Sequence, residues 1–94
     1  MELSKNEYVM YKGLPLVREG NTICYGDVNE KYILMLDILK KNENGDPDLI
    51  MVSICHTEDR NKLVPGKQTM KNSLIEALDL GSIWLEHLNK EENK

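Results

Sequence analysis

A chain of 94 residues allows one domain, which can bury a modest core without a metal or a disulfide. The net charge is −4, and this acidic balance argues against binding to a nucleic-acid backbone, which requires clustered lysine and arginine. Two cysteines are too few for a disulfide scaffold. Neither a membrane-spanning run nor the apolar region of a secretory signal is present, so we expect a cytoplasmic protein without membrane contact.

Three short strand patterns come first in the chain. Large apolar and β-branched residues occupy positions 8–11, 16–18 and 22–25, and glycine-containing turns separate them. Residues 1–7 are mostly polar, and we expect them to fray.

The centre of the predicted sheet is a hairpin made of residues 31–41 and 48–56, which are rich in β-branched and large apolar side chains. Both faces of this hairpin are largely apolar, as in a strand that is buried on both sides. One helix covers only one face, so the other must be covered by the N-terminal strands curling into a small barrel or by a second subunit. The cleaner alternating set, predicted to face the core, is Leu34, Leu36, Ile38, Ile50, Val52 and Ile54.

The loop of this hairpin decides which side chains share a face, because a shift of one residue exchanges the two faces. A five-residue loop over positions 43–47 joins the cleaner set on one face and keeps Pro47 out of the strand pairing. A two-residue turn at Asn44 and Gly45 would instead place Asp37 among the core residues. We prefer the five-residue loop.

Residues 57–68 are predicted to form a long polar loop, with at most a brief strand at positions 63–64. Loops of this length within a compact domain often carry function. The charged residues of this segment are therefore candidate site residues: Glu58, Asp59, Arg60 and Lys62.

The last apolar segment, residues 73–89, predicts the only long helix. Ser73 and Glu76 have the spacing of a capping box, and Thr69 is an alternative cap one turn earlier. Apolar residues recur at helical spacing on one face. Gly81 lies in the middle of that face, where it indicates either close packing against a strand or a break in the helix. The predicted single domain covers residues 1–89, and residues 90–94 form a disordered polar tail.

A second stripe on the same helix is a candidate interface. It extends beyond what docking on a sheet requires, although a wide core face under a curled sheet would also use it. Tryptophan is enriched at interface hot spots, so Trp84 is the preferred anchor. The candidates on the helix are Leu80, Ile83, Trp84 and His87, and those on the hairpin face away from the core are Met35 and Met51.

No motif for catalysis, metal binding or nucleotide binding is present. Residues 42–48 alternate oxygen side chains like the start of a calcium loop, but the glycine is misplaced and Ser53 stands where the final glutamate is required. Cys55 and His56 are adjacent on a strand and point to opposite faces, which argues against a shared metal. Cys24 as a nucleophile with His56 as its base is the least favoured function. We expect no cofactor, no metal and no enzyme activity.

Several stretches carry a resemblance: Tyr11-Lys12-Gly13, Pro15-Leu16-Val17-Arg18, Gly20-Asn21, Tyr25-Gly26-Asp27, Lys31-Tyr32 and Asp79-Leu80-Gly81-Ser82-Ile83-Trp84-Leu85. Together they resemble a group of small clostridial proteins of unknown function. The resemblance spans most of the chain and implies a bacterial or phage source. It carries no functional residue over to this sequence.

These patterns predict an α+β domain: an antiparallel meander of about five strands, curled or barrel-like, with one C-terminal helix packed on one face. We expect a small interaction or regulatory module that acts by protein contact, with a homodimer as the favoured assembly. The alternative is a small-ligand-binding domain with a pocket between the sheet and the helix.

Overall fold

The computed structural model describes residues 6–92, which form one antiparallel sheet followed by one helix. The predicted α+β class and the C-terminal helix on one face of the sheet are confirmed. The sheet has six strands in chain order and does not close, because β1 and β6 are its two edges. The elements are β1 (Asn6–Tyr11), β2 (Leu14–Glu19), β3 (Thr22–Tyr25), β4 (Tyr32–Lys41), β5 (Pro47–His56), β6 (Asp59–Lys71) and α1 (Leu74–Glu92).

The first hairpin turns on two residues, Lys12 and Gly13, with φ values of 49° and 82°. Two positive φ values in a two-residue loop are typical of a type I′ turn, whose twist matches that of the flanking strands. The turn is closed by the pair Tyr11 and Leu14, and the pairing of β1 with β2 continues without a shift to Asn6. The pairing is therefore regular along the whole of β1.

The central hairpin confirms the predicted division of its faces. Asp37 lies opposite Met51, on the face away from the core. The five-residue loop covers positions 42–46 and starts one residue earlier than predicted. Keeping Pro47 out of the pairing was wrong, because Pro47 begins β5 opposite Lys41; the first residue of a strand tolerates a missing N–H donor. The core pairs are Leu34 with Ile54, Leu36 with Val52 and Ile38 with Ile50.

The predicted polar loop over residues 57–68 is wrong. After a two-residue turn, Asp59–Lys71 forms β6, which pairs with β5. Because β6 is an edge strand, charged and polar side chains replace the apolar alternation on which sequence reasoning depends. Pro65 and Gly66 lie within a shift of register between the two strands, and an edge strand accommodates proline at such an irregularity.

Helix α1 packs on β4, β5 and β6, and the hairpin residues predicted to face the core form one cluster with Leu78 and Leu85 of the helix. Gly81 is buried on the sheet-facing side of the unbroken helix, where an added Cβ would lie 2.5 Å from Cδ1 of Leu34. The glycine therefore allows the helix to approach β4, and the alternative of a helix break is excluded. The core cluster contains the six hairpin residues of the cleaner set together with Leu16, Ile23, Tyr25, Tyr32, Ala77, Leu78 and Leu85, and Leu74, Trp84 and Leu88 pack against it.

Both ends of α1 are fixed by side chains. The Ser73 hydroxyl accepts a hydrogen bond from the backbone N–H of Glu76 at 3.2 Å, which confirms the predicted cap. Near the other end, Asn89 accepts the backbone N–H of Tyr32 at 3.0 Å and donates to its carbonyl at 3.3 Å. The helix continues to Glu92, so the predicted tail begins too early. Residues 1–5 and 93–94 lie outside the described residues.

Replacing Leu78 with alanine tests the docking of the helix. Leu78 is 1% exposed, and we expect the substitution to lower the free energy of unfolding by about 2–5 kcal/mol. Ile75 is on the same helix but 57% exposed, so Ile75→Ala should change it by less than about 0.5 kcal/mol. Urea unfolding of the two variants measures both values. A Leu78→Ala variant as stable as Ile75→Ala would contradict the packing described.

The contact between Gly81 and Leu34 predicts a destabilising Gly81→Ala substitution. Alanine is favoured over glycine in a helix by roughly 1 kcal/mol, but overpacking a buried site costs about 1–3 kcal/mol. We expect Gly81→Ala to lower the free energy of unfolding measured in urea. The loss should be smaller when Gly81→Ala is introduced into the Leu34→Val variant, because the added methyl group then has space. A stabilising Gly81→Ala substitution would show that the helix and β4 are not in close contact.

Candidate functional site

The candidate site is the face of the sheet turned away from α1, called the open face here. A row of residues, one from each strand, crosses the sheet in cross-strand register. Along each strand, the residues on either side of this row face the helix instead. The strands therefore present one continuous surface from edge to edge. The row runs through Tyr8, Val17, Cys24, Met35, Ser53 and Gln68.

The open face contains two hollows. The first, of about 330 Å³, has a mainly apolar lining that includes Val17, Cys24 and Ile33. The second, of about 270 Å³, is lined by Met35 and Met51 among others. Apolar side chains in a recess are the usual lining of a contact or ligand surface, so this face can receive an apolar group from a partner.

Arg60 borders both hollows. Its positive charge lowers the pKa of Cys24, but burial of the thiol outweighs this effect and raises that pKa overall. The candidate residues Glu58, Asp59, Arg60 and Lys62 are all exposed. Glu58 lies in the turn before β6, and the other three lie on β6 rather than in a loop. Of these four, Arg60 is the residue shared by both hollows of the open face.

Sulfur-containing side chains occupy the middle of the open face. Sγ of Cys24 lies 3.3 Å from Sδ of Met35, and both cysteines are free thiols. Burial raises the pKa of Cys24 and, as the largest influence, that of Cys55. A thiol with a raised pKa forms less of the nucleophilic thiolate, so neither cysteine has the electrostatic setting of a catalytic nucleophile.

Asp37 is an acidic strand residue of this surface, and a neighbour holds its side chain. The carboxylate of Asp37 accepts a hydrogen bond from the Thr22 hydroxyl at 2.9 Å. The two residues lie opposite each other on β3 and β4. A cross-strand bond of this kind fixes the orientation of the carboxylate, and it leaves the surrounding surface largely apolar.

The helix candidates are divided between the core and the solvent. Trp84 is half-buried and packs against the core cluster, and the Lys67 ammonium lies 5.3 Å from the centre of its ring. Leu80 is also half-buried, whereas Ile83 is 53% exposed and His87 is exposed. The preferred anchor of the predicted stripe is therefore partly used within the chain, and the candidate interface residues of the helix are not one continuous exposed surface.

A cleft lies between the helix and the sheet, where a ligand pocket was predicted as the alternative. It measures about 570 Å³ and is lined partly by apolar side chains such as Leu14. Charged side chains of both signs surround it, including Lys12, Glu30, Glu86 and Lys90. This mixture favours neither an anion nor a cation.

The side chains of the 42–48 loop and of His56, also considered as candidate sites, make local structural contacts instead. Oδ1 of Asn42 accepts the backbone N–H groups of Asn44 and Asp46 at 2.9 and 3.1 Å, as turn-forming asparagines do. The His56 ring packs on Tyr32 with 5.1 Å between ring centres. Within residues 6–92, no three histidine, cysteine or acidic side chains are grouped closely enough to hold a metal ion.

No protein-family model, curated protein or solved structure matches this chain. The resemblance to small clostridial proteins therefore stays a prediction. The described part of the chain contains no helix with the length and apolar character needed to cross a membrane.

The raised pKa values predict slow reaction of both cysteines. At pH 8 we expect iodoacetamide to alkylate Cys24 and Cys55 more slowly in the folded protein than in the urea-unfolded chain, because the folded state disfavours the thiolate. Mass spectrometry of quenched samples measures both rates. A group whose pKa is raised on folding stabilises the fold below its unfolded pKa, so this contribution is lost as the pH rises above the ordinary thiol range. Faster alkylation of folded Cys24 would instead indicate an activated thiol.

Proposed function

We propose that this protein is an interaction module that acts by protein contact and associates with itself as a homodimer. The observation that supports this proposal most strongly is the exposure of large apolar side chains at the β1 end of the open face. Tyr8 is 62% exposed and Met10 is 58% exposed. Exposed apolar surface that continues across neighbouring residues is uncommon on a monomer and marks contact sites.

The architecture explains why no other element of the described chain covers this surface. The described chain has one helix, and that helix packs on β4, β5 and β6 from one side only. The half-buried Val17, Met35 and Met51 on the other side extend the apolar surface inward from β1. A second subunit can contact the β1 end of this surface without any further secondary structure, and a two-fold dimer needs only one self-complementary patch.

The sheet is a better candidate for the contact than the helix. Ile83 is exposed, but its neighbours on the outer side of α1, Asp79, Glu86 and His87, are exposed polar residues. Single exposed apolar residues are normal on protein surfaces. Trp84, which packs against the core, offers only part of its ring to a partner.

A second candidate function is the binding of a small ligand, and the hollow of about 330 Å³ on the open face favours it. Its size falls at the lower end of known ligand pockets, and its lining is mainly apolar with a few polar groups. The predicted location between the sheet and the helix is less suitable because of its mixed charges. Saturable binding of a small apolar molecule by a monomeric protein would favour this function over the first.

A cytoplasmic location is part of the proposal. It is supported by the free state of both cysteines, since reduced thiols are the rule in the cytosol. A bacterial or phage source also stays a prediction.

Self-association predicts a dimeric mass in solution. We expect light scattering at about 100 µM protein, a concentration that corresponds to roughly 5.5 kcal/mol of association free energy, to give twice the mass of one chain. Dilution should return the protein to monomers, because the contact is reversible. The Ile83→Glu variant should keep the dimeric mass, since the proposal places the contact on the sheet. A monomeric wild-type protein at that concentration would contradict self-association, and dissociation of the Ile83→Glu variant would move the contact to the helix.

A further inference from the structure

The outer edge of β1 carries unpaired backbone groups. The Tyr11–Leu14 pair closes a two-residue turn, and hydrogen-bonded and non-hydrogen-bonded pairs alternate from there along an antiparallel hairpin. The odd-numbered residues of β1 therefore bond to β2, and the even-numbered Asn6, Tyr8 and Met10 direct their N–H and C=O groups away from it. Within residues 6–92, β2 is the strand that pairs with β1, so these groups form an open edge.

The two edges of the sheet differ in how they are protected. On β6, Pro65 removes a donor, the pairing with β5 shifts its register, and charged side chains such as Arg60, Lys62 and Lys67 lie along the strand. Leu63 and Met70 are also exposed on β6, but the proline, the register shift and the charged side chains oppose pairing with another chain. β1 contains no proline, its register with β2 is continuous, and two large apolar side chains are exposed on it. One edge is blocked and the other is available for pairing.

We propose that β1 pairs antiparallel with β1 of a second copy of this chain, with Tyr8 opposite Tyr8 of that copy. The inference rests on the proposed self-association and specifies its surface. Addition of a strand to an exposed sheet edge is a common mode of recognition, in which main-chain hydrogen bonds supply affinity. The result is one continuous sheet through both subunits, with both helices on the same side of it.

The register follows from which backbone groups are free. In an antiparallel pair of identical strands, residues of the same parity must face each other for their side chains to share a face. With Tyr8 on the two-fold axis, Asn6 pairs with Met10 of the second copy, and all the outward groups are used in about six hydrogen bonds. Centring on Val9 instead uses about four, because the partner of Asn6 would then lie in the hairpin turn.

The side chains are compatible with this register. Tyr8 of each copy meets the other on the open face, and cross-strand aromatic pairs are favourable. Glu7 occupies the position opposite Val9 of the second copy, so no like charges oppose each other in the strand. Self-pairing thus needs no complementary sequence from another protein, which favours a second copy over an unrelated strand.

The size of the contact predicts its strength. Pairing of two six-residue strands with their exposed side chains buries less than the roughly 1,200 Å² of a standard stable interface. Interfaces of that size are weak or transient. We therefore expect a dissociation constant in the low micromolar range, below the concentration used above for the mass measurement, so that most chains are dimeric at that concentration.

The test replaces Tyr8 with lysine. Two lysines opposed on the axis repel each other, and a lysine on an edge strand opposes pairing, so sedimentation should show at least a tenfold higher dissociation constant for Tyr8→Lys than for the wild type. Ile83→Lys is the matched control, since it makes the same type of change at an exposed site on the helix, and it should leave association unchanged. Circular dichroism checks that both variants fold.

Crosslinking provides a second variant that does not depend on loss of binding. In the proposed register, a cysteine at position 8 lies opposite position 8 of the second copy, within disulfide range. Position 10 is about 14 Å along the strand from position 10 of the second copy. Mild oxidation should therefore yield a covalent dimer for Tyr8→Cys, but not for Met10→Cys or for the wild type with its native thiols. If the wild type dimerises but Tyr8→Lys dimerises equally well, or Met10→Cys crosslinks instead, the edge pairing is wrong while self-association stands. A monomeric wild type overturns both.

Discussion

The close approach of α1 to β4 at Gly81 is the constraint on which the rest of the structure depends. The helix passes over Leu34 with no side chain between them, and this lets Leu78 and Leu85 reach the apolar faces of β4 and β5. A larger residue at the crossing would displace the Leu34 side chain or move the helix away from β4, because interiors are packed without spare volume. The hydrogen bonds between Asn89 and the backbone of Tyr32 hold the C-terminal part of the helix close to the start of β4.

Using the single helix in this way leaves the sheet asymmetric. One face is sealed by a cluster of aliphatic side chains, and the other presents methionine, cysteine and tyrosine to its surroundings. Methionine packs adaptably against partners of different shape, which suits a contact surface better than a catalytic one. The raised pKa values of the two thiols fit the same view, since their surroundings disfavour the charged form.

Sequence reasoning recovered the parts of the fold that are fixed by apolar periodicity. The faces of β4 and β5 follow from the alternation around Leu34 and Ile54, and the helix follows from its apolar stripe and the Ser73 cap. β6 was missed because an edge strand has one neighbour and no need to alternate, so Lys62 and Gln68 resemble loop residues. Periodicity cannot tell a wide core face from a second stripe on the helix, and Trp84 packs partly against the core, so the helix interface stays a prediction. The apolar residues Met35 and Met51 on the second hairpin face indicated the open face from the sequence. The difference between the β1 and β6 edges could not be predicted, because it depends on which strands lie at the ends of the sheet.

The double hydrogen bond between Asn89 and Tyr32 also bears on the order in which the chain folds. Every strand pairs with its neighbour in sequence, so the sheet can assemble through short loop closures, which are fast. The contact between Asn89 and Tyr32 spans 57 positions and forms only when the end of the helix is available. During synthesis from the N-terminus, β1 to β5 can therefore pair while the aliphatic side of the sheet is still exposed to water. A sheet that forms before the helix would thus expose an apolar surface on both sides, and docking of the helix covers one of them.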